Sequence, residues 1–381
     1  MSKFKFLLGD ICDITSGQGA PQGDENYCEY GTPFVKAGNL LDLVNGAKLN
    51  EIQSVSNEVI HSHRLKIYPT GSIVFAKSGA SCLKGHVYVL DNDCCVVSHL
   101  AIVTPKSNDN CNSYYLGYYF RYNKPNKLVR DLAYPTISLT DLNEMSIIIP
   151  EVEEQNRIVV ELDKIQGAID NKRQQLAKLD ELVNSKFYEM FECKNYPIST
   201  IGECCTLKSG TTLKKELELE SGDYMYIKVS DMNLPGNEKY IRTSKTYVSA
   251  SSIKNFAIPG NSIIFPKRGG AIATNKKRIT QNTICIDLNT MAVTPNSRLN
   301  LDYLYQFFVN IDMGKLYNGA AVPQINNKDI APLKISIPPL ELQEQFANFA
   351  QKIERAKDVV SKQIDRLQEL LDSRMDFYFR Q

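Results

Sequence analysis

The sequence contains no run of about 18 apolar residues, the length that a membrane-spanning helix requires. Its first stretch, MSKFKFLLGDI, is too short for a secretory signal peptide and is soon interrupted by Asp10 and Asp13. These absences predict a cytoplasmic protein. A length of 381 residues, of which 43% are hydrophobic and 23% charged, is enough for two globular domains of ordinary size.

Neither sign of charge is in excess, since 44 Lys and Arg residues are balanced by 43 Asp and Glu residues. This balance argues against a protein that coats nucleic acid through bulk charge, so any contact with DNA must be local. Two short basic stretches, Lys267-Arg268 and Lys276–Arg278, allow such a contact, although a run of charges is usually a solvated surface.

Metal and disulfide motifs are also missing, because the ten cysteines include no CxxC pair. They lie at positions 12, 28, 82, 94, 95, 111, 193, 204, 205 and 285. A chain of this size inside a cell does not need disulfides, so we expect reduced thiols that act as small apolar residues. His61 and His63 have no Cys or carboxylate cluster at metal-ligand spacing nearby, and no metal site is predicted.

The motifs of several enzyme classes are absent. The sequence has no GxxxxGK[ST] loop for nucleotide hydrolysis and no strand followed by GxGxxG for a dinucleotide or S-adenosylmethionine pocket. Pro338-Pro339 lacks the preceding Asn or Asp and the following aromatic residue of an amino-methyltransferase tetrapeptide. All four histidines lie in the first half, so both halves could not share a histidine mechanism. We therefore predict a binding protein that has no catalytic residues and holds no cofactor.

A long amphipathic stretch is present over residues 151–191. Its apolar residues recur at alternating steps of four and three, which is the pattern of a helix that pairs along a narrow seam, and only Lys172 interrupts them. At 1.5 Å per residue the helix would be about 60 Å long. The seam residues are Ile158, Leu162, Ile165, Ile169, Leu176, Leu179 and Val183.

A second stretch near the C-terminus has the same spacing, with each position 188 residues after its counterpart and Lys357 as the interruption. Because the two seams share a phase, they predict an antiparallel pair with Ile158 opposite Leu371. That register places Lys172 opposite Lys357, which is unfavourable, so a register shifted by one heptad is an alternative. The second seam comprises Phe346, Ala350, Ile353, Val360, Ile364, Leu367 and Leu371.

The globular stretches repeat as well, in the same order. LGDICDITSG at 8–17 matches IGECCTLKSG at 201–210, and YPTGSIVFAKSGA at 68–80 matches IPGNSIIFPKRGGA at 258–271. Short strands with Gly and Pro between them, and a few short helices, predict a duplicated α+β domain with a twisted antiparallel sheet or partial barrel. We expect domains at 1–150 and 193–338 and long helices at 151–192 and 339–381. The tyrosine-rich segments around 114–119 and 303–308 are interpreted as core.

Glycine-rich loops follow the matching strands, KSGASCLKGH at 77–86 and KRGGAIATNKKRI at 267–279. They can be ordinary hairpin connections, but their basic side chains favour contact with phosphates, and Arg268 can present its fork to a guanine edge. Candidate DNA-binding residues of the first half are Gln18, Gln22, Lys36, Lys77, Ser78, Lys84, Thr136 and Ser138. Those of the second half are Thr211, Lys214, Lys215, Lys228, Lys267, Arg268, Asn275, Lys276, Lys277, Arg278, Gln324 and Asn326.

The duplicated series of motifs resembles the specificity subunit of type I restriction-modification enzymes. Its members, in order, are an IGD/E-I…SG opening, an F/Y-V/I-K strand, IPxGSIIFxKxG, VTP, P-x-I…D-L, and IPxxEEQNRI before the long helix. The resemblance covers nearly all of the chain. Leu342 stands where the first copy has a glutamate, and Ser78 stands where the second copy has Arg268.

The resemblance implies two target-recognition domains, each of which reads half of a bipartite, asymmetric DNA site. The two long helices would form an antiparallel coiled-coil spacer, related by a pseudo-twofold duplication, that docks two methyltransferase subunits and, in some systems, two restriction motor subunits. S-adenosylmethionine, and ATP with Mg for restriction, would be used by those partners and not by this chain.

Two other functions are compatible with the residues alone. The chain can be the recognition arm of a restriction enzyme that carries its own catalytic residues, or a scaffold whose globular halves bind proteins and not DNA. DNA binding that depends on sequence and falls with salt separates these functions.

One heptad inserted into each long helix is expected to lengthen the recognised gap by about three base pairs. Seven residues add about 10 Å of helix, and a base pair spans about 3.4 Å. Sequencing of methylated sites measures the gap, and an unchanged gap would contradict a rigid spacer.

Overall fold

The computed structural model describes residues 3–107, 110–192, 194–252, 256–316 and 323–380. The chain divides into two compact units, here called unit 1 (residues 1–174 and 361–381) and unit 2 (residues 175–360). Each unit therefore contains one globular half of the sequence together with part of both long helices.

Unit 1 begins the duplicated pattern of strands and short helices. Its strands are β1 (Lys3–Leu7), β2 (Cys12–Ser16), β3 (Thr32–Val35), β4 (Ser54–Val55), β5 (Ile67–Tyr68), β6 (Ile73–Ala76), β7 (Val87–Val89), β8 (Cys94–Val96), β9 (Leu100–Pro105) and β10 (Ser146–Pro150). Its helices are α1 (Leu8–Ile11), α2 (Leu40–Val44), α3 (Asn57–Ser62), α4 (Ser113–Tyr122) and α5 (Leu139–Asn143), followed by the long α6 (Val152–Phe187), which continues into unit 2.

The central sheet of unit 1 has the order β2-β9-β6-β7 and is antiparallel throughout. Both of its faces are covered, because side chains alternate along a strand. Ile73 and Phe75 pack into one core cluster with α4 and the long helices, whereas Val74 and Ala76 pack into a second cluster over the other face. Two-sided burial explains why β6 reads IVFA without a polar residue.

Two smaller sheets complete unit 1. One has the order β4-β3-β8-β5, with β3 parallel to β8, and the other pairs β1 with β10 in antiparallel fashion. The unit is therefore α+β, as the punctuation of the sequence predicts, but the parallel pairing of β3 with β8 departs from the predicted antiparallel sheet.

Unit 2 repeats this order of elements. Its strands are β11 (Ile198–Thr200), β12 (Cys205–Ser209), β13 (Tyr224–Ile227), β14 (Tyr240–Ile241), β15 (Tyr247–Val248), β16 (Ser262–Pro266), β17 (Arg278–Thr280), β18 (Cys285–Ile286), β19 (Thr290–Pro295) and β20 (Lys334–Ser336). Its helices are α7 (Ile201–Cys204), α8 (Leu301–Val309), α9 (Asn327–Ile330) and the first part of the long α10 (Leu340–Phe379).

The central sheet of unit 2 has the order β12-β19-β16-β17-β14, so its first four strands match those of unit 1 and β14 adds a parallel edge. Ile263 and Phe265 face one core cluster and Ile264 faces another, which reproduces the two-sided burial of β6. The duplication predicted from sequence is thus present in the topology.

The tyrosine-rich segments form α4 and α8 and pack largely into the cores. Tyr115, Tyr118 and Tyr119 are buried in unit 1, and Tyr303 and Phe308 are buried in unit 2. The prediction that these rings are core residues is confirmed for these positions, whereas Tyr114, at the first turn of α4, is 46% exposed.

Within unit 1, the beginning of α6 packs against the end of α10, so these two segments are antiparallel. The Glu161 carboxylate lies 3.1 Å from the Arg374 Nε atom and accepts a hydrogen bond of 2.7 Å from the Tyr378 hydroxyl. The register with Ile158 opposite Leu371 would place Gln368 level with Glu161. That register is therefore wrong, and these contacts agree with a shift of about one heptad.

Within unit 2, the end of α6 packs against the beginning of α10, again antiparallel. The Lys357 Nζ atom lies 2.7 Å from an Asp180 carboxylate oxygen, and the Phe187 and Phe346 rings meet at 5.4 Å between centroids. Lys357, which interrupts the seam, is thus paired with a carboxylate and does not face an ammonium group there. The shifted register, which was the alternative at the level of sequence, accounts for this pairing.

Every seam residue is at least partly buried. Ile158, Leu162, Ile169, Phe346, Ala350, Val360 and Leu371 are buried, and Ile165, Leu176, Leu179, Val183, Ile353, Ile364 and Leu367 are half-buried. Partial exposure is expected where two helices pair along one stripe and the remaining faces contact solvent.

The cysteines within the described ranges are free thiols, and all but the half-buried Cys28 are buried. They behave as the small apolar residues predicted from their spacing. Cys193 lies outside the described residues. In the same ranges no three His, Cys, Asp or Glu side chains are grouped to hold a metal ion, and no helix is long and apolar enough to cross a membrane.

A fully buried glutamine joins each long helix to its globular half. The Gln155 amide donates to the carbonyls of Pro150 (2.8 Å) and Asn110 (3.1 Å), and its oxygen accepts from the Asn112 backbone N–H at 2.8 Å. Asn112 in turn caps α4 with its side chain. One side chain therefore fixes the entry of α6 and the start of α4 together.

Gln343 makes the same set of contacts in unit 2. Its amide donates to the carbonyls of Pro338 (2.8 Å) and Arg298 (3.1 Å), and its oxygen accepts from the Asn300 backbone N–H at 2.7 Å. Asn300 caps α8. The glutamine of the EEQNRI and ELQEQF motifs thus has a structural role in both copies.

Replacing Gln155 by Ala is expected to lower the free energy of unfolding by about 2–4 kcal/mol, because each backbone group left unpaired in a buried site costs about 1–3 kcal/mol. Urea denaturation followed by circular dichroism measures the loss. Gln174→Ala is the matched control, since Gln174 is exposed on the same helix. Equal denaturation midpoints for the two variants would show that the buried contacts contribute nothing.

Candidate nucleic-acid interface

The candidate residues of unit 1 come together at one end of the central sheet. β6 ends at Ala76, which is paired with Leu100 at the beginning of β9, and β2 ends at Ser16, which is paired with Ala101. β7 starts next to the same end, since Val87 is paired with Phe75. The register therefore places Gln18, Lys77, Ser78, Lys84, His86 and His99 at this end.

The glycine loop after β6 is paired with the segment before α5. Ser78 and Thr136 form an isolated β-bridge, the Gly79 N–H donates to the Pro135 carbonyl at 3.0 Å, and the Ile137 N–H donates to the Lys77 carbonyl at 2.8 Å. The Ser78 hydroxyl lies 2.9 Å from His99 Nδ1. The PTIS motif and the glycine loop thus form one polar surface, although they are far apart in sequence.

Unit 2 builds the equivalent surface with different side chains. Arg268 and Gln324 form the isolated β-bridge, the Gly269 N–H donates to the Pro323 carbonyl at 2.8 Å, and the Ile325 N–H donates to the Lys267 carbonyl at 2.9 Å. Thr211 lies at the same end of the sheet because it follows β12. The backbone frame is therefore repeated while the side chains that it presents are not.

A glycine closes β2 and β12 because another strand passes too close for a side chain. A Cβ atom at Gly17 would lie 2.2 Å from the Val96 carbonyl oxygen, and a Cβ atom at Gly210 would lie 2.0 Å from the Asp287 carbonyl oxygen. Real Cβ atoms do not approach oxygen this closely, so both positions require glycine. This contact explains the SG that ends both opening motifs.

Three basic residues of the second half point inward. Lys277 is only 4% exposed, and its ammonium group donates to the Ile311 carbonyl (2.8 Å) and the Asn275 side chain (2.6 Å). The Arg278 guanidinium donates to the carbonyls of Lys277 and Met232. Lys267 is 5% exposed and donates to the Ser209 hydroxyl at 2.8 Å.

Burial changes the titration of these groups. It lowers the pKa of the Lys277 ammonium to about 8 and also lowers the pKa of Arg278. Burial, with the neighbouring Arg268 charge, lowers the pKa of Lys267. Burial of charge is unfavourable, so these side chains are held by the fold and are poorly placed for phosphate contact.

Four further candidates hold loops and helix ends. The Ser138 hydroxyl caps α5, and the Asn326 and Asp329 side chains form the capping box of α9. The Asn275 side chain accepts from the Met313 N–H at 2.9 Å, and the Gln18 amide donates to the Arg64 carbonyl at 2.7 Å. These contacts assign a structural role to each residue, and none of them tests DNA binding.

Three lysines and one glutamine among the candidates have side-chain partners. Lys36 donates to the Gln53 side chain at 2.9 Å and lies over the Tyr27 ring, and Lys228 pairs with Glu218 at 2.6 Å. Lys276 donates to the Asn233 side chain and Gln324 to that of Asn326. Such partners can be exchanged for phosphate oxygens only at the cost of these contacts.

The remaining candidates are accessible. Gln22, Lys84, Thr136, Lys214 and Lys215 are exposed, and Lys77, Ser78, Thr211 and Arg268 are half-buried. The Arg268 Nε atom is itself buried and has no hydrogen-bond partner among the described residues, and the same holds for the Nε atom of Arg278. Its place in the bridge with Gln324 makes the end of the Arg268 guanidinium a candidate for a base contact in unit 2.

His99 and its counterpart Asn289 are further candidate residues that sequence reasoning missed. Each is exposed, and each directly precedes the β9 or β19 strand at the same sheet end as the glycine loop. The sequence did contain a signal for them. His99 stands one residue before LAIVTP and Asn289 two residues before MAVTP, so they occupy equivalent positions in the two copies.

The comparison with protein families decides the class. The model of the type I restriction modification DNA specificity domain matches residues 1–181 and again residues 194–369. The chain belongs to this family. The family confirms the resemblance drawn from the motifs, and the chain is therefore a DNA sequence-recognition subunit that is not itself the catalytic component.

Individual relatives are distant but match over nearly their whole length. The type I restriction enzyme MjaIX specificity subunit of Methanocaldococcus jannaschii is 21% identical, and the match covers 96% of this chain and 90% of that protein. The crystal structure of a type I restriction-modification system S subunit from M. genitalium has a TM-score of 0.54 at 14% identity and covers 100% of this chain and 96% of that one.

A second solved chain comes from work on complex assembly and conformational transition of the type I R-M system. Its TM-score is 0.57 at 16% identity, and the match covers 99% of this chain and 97% of that chain. At these identities the two structures support the fold of this family member and not its individual contacts.

Replacing Lys277 by Met is expected to reduce the rise of unfolding free energy with pH between pH 8 and 10.5. Lys277 has a folded pKa of about 8 against an ordinary value of 10.5, so in this window the unfolded state binds more protons and stability increases with pH. Urea denaturation at several pH values measures the slope. Lys214→Met, at an exposed lysine, should keep the wild-type slope, and an equal slope in both variants would contradict the buried ammonium.

Proposed function

We propose that the chain reads a bipartite, asymmetric DNA site, with one half-site for each globular half. The observation that carries the proposal is the repeated sheet end, which has the same backbone pairing in both units and different side chains. Ser78 is replaced by Arg268 and His99 by Asn289 at equivalent positions. Because base edges are read by side chains in the grooves, unlike side chains on one frame favour unlike half-sites.

The chemistry of each surface suits a different target. The Arg268 guanidinium can donate two hydrogen bonds to the O6 and N7 atoms of a guanine, which is the commonest specific contact in a major groove. The Ser78 hydroxyl and His99 ring form a hydrogen-bonded pair that can donate and accept. Exposed lysines such as Lys84, Lys214 and Lys215 would contact phosphates, which sets position but not sequence.

The partners and cofactors follow from the family role. The chain works with DNA and methyltransferase subunits; we propose that two such subunits dock on the long helices and that two restriction motor subunits join where the system has them. S-adenosylmethionine would be used by the methyltransferase, and ATP with Mg by the motor. This chain would hold none of these cofactors and would act in the cytoplasm.

The experiment is coexpression with candidate methyltransferase subunits, followed by single-molecule sequencing of the host DNA for methylated adenines. A new bipartite motif with unlike halves and a fixed gap supports the proposal. Identical halves would contradict the asymmetry. A stable complex without any motif would instead favour a subunit that has lost recognition, or a scaffold.

Replacing Arg268 by Ala is expected to relax specificity at one position of the second half-site, since a bidentate contact to guanine is worth about 1–3 kcal/mol of discrimination. Competition binding with all four bases at each position measures the loss. Arg298→Ala is the control, because exposed Arg298 follows β19 and therefore lies at the opposite end of the sheet. An equal loss of affinity for every base at every position would instead show that Arg268 contacts a phosphate.

A further inference from the structure

Two large apolar side chains project from the segment that precedes the PTIS motif in unit 1. Leu132 is 74% exposed and Tyr134 is 79% exposed. Single exposed apolar residues are common on protein surfaces, but two on one short segment at a polar site are not explained by packing. This segment, residues 130–135, is here called the apolar tip.

The apolar tip is held in place by contacts at both of its ends. The Pro135 carbonyl accepts from the Gly79 N–H at 3.0 Å, and Ile137 is buried in the core. The Ala133 N–H donates to the Asp131 carboxylate at 2.8 Å, and Arg130 pairs with Asp141 at 2.8 Å. The backbone is therefore shaped by hydrogen bonds while the two apolar side chains extend into solvent.

DNA is the occupant that fits this position. The apolar tip continues directly into Thr136, which is bridged to Ser78 on the candidate interface. The Arg130 side chain at the start of the tip is 82% exposed and is paired with Asp141. Proteins insert apolar side chains between base pairs, and aromatic rings stack on bases, so Leu132 and Tyr134 supply both kinds of side chain beside the candidate interface.

We propose that Leu132 and Tyr134 insert into DNA at the first half-site, where Tyr134 stacks on a base and Leu132 fills the space at that step. The proposal rests on the proposed function, because it requires that unit 1 reads a half-site. Insertion would read deformability of a base step, so it would add specificity at a position that no polar side chain contacts.

The first measurement is affinity of the assembled methyltransferase complex for its motif, determined beforehand by sequencing of methylated DNA. Tyr134→Ala is expected to weaken binding roughly tenfold to a hundredfold, as loss of base stacking does in other proteins. Tyr134→Phe should bind like the wild type, because its ring still stacks. Leu132→Ala should show an intermediate loss.

The matched control is Tyr114→Ala. Tyr114 is also exposed in unit 1, but it begins α4, whose first residue, Ser113, lies close to Gly71 just before β6. The apolar tip contacts Gly79 just after β6, so the two tyrosines mark opposite ends of the same strand. Binding by Tyr114→Ala should equal that of the wild type.

The second measurement scans 2-aminopurine through the first half-site. The wild type and Tyr134→Phe should change its fluorescence at one step, and Tyr134→Ala should not. Three results would overturn the insertion. One is a loss of DNA affinity in Tyr134→Phe equal to that in Tyr134→Ala, which would attribute binding to the tyrosine hydroxyl and not to ring stacking. Another is reduced assembly with the methyltransferase at unchanged DNA affinity, which would show that the apolar tip contacts the partner protein and not DNA. The third is unchanged binding by Tyr134→Ala.

Failure of the proposed function itself has a different outcome. In that case the wild-type complex would show no methylation motif and no preference for any DNA sequence, before any variant is compared. A wild type with a motif and a Tyr134→Ala variant without a defect would leave half-site reading intact and reject the apolar tip alone.

Discussion

The buried glutamine at the start of each long helix is the contact on which the rest of the structure depends. Gln155 and Gln343 each join the carbonyl before the helix, a loop carbonyl and the N-terminus of a second helix through one side chain. A buried amide that satisfies three backbone groups tolerates little change of angle. Within each unit, the sheet end that presents the candidate DNA contacts is therefore oriented with respect to the long helices.

The long helices, the duplication and the glycine loops could be predicted because each produces a recognisable local pattern in the sequence. Seam spacing gives a helix its face, and repeated motifs give two domains of the same topology. The register could not be predicted in the same way. It depends on pairs such as Glu161 with Arg374 and Asp180 with Lys357, which a seam of similar aliphatic residues does not distinguish.

The candidate site was predicted more unevenly, because charge in a sequence does not reveal burial. The glycine loops lie at one sheet end of each unit, yet Lys267 and Lys277 are buried and bonded inside unit 2, while the exposed His99 at that end of unit 1 was overlooked. Strand register decides which residues meet at a sheet end, and register becomes visible only when the strands are paired. Half of a basic run can thus stabilise a fold while a residue outside that run lies exposed at the candidate surface.

The close passage of a strand behind Gly17 and Gly210 separates two kinds of position within the same loops. At the glycines any side chain would collide with a backbone carbonyl, so mutation there is costly to the fold. Two strands away in the same sheets, the positions just beyond β6 and β16 carry Ser78 in one copy and Arg268 in the other, on the same bridged backbone. In evolutionary terms the backbone frame tolerates little change, whereas the side chains that it presents at the sheet end already differ between the two copies.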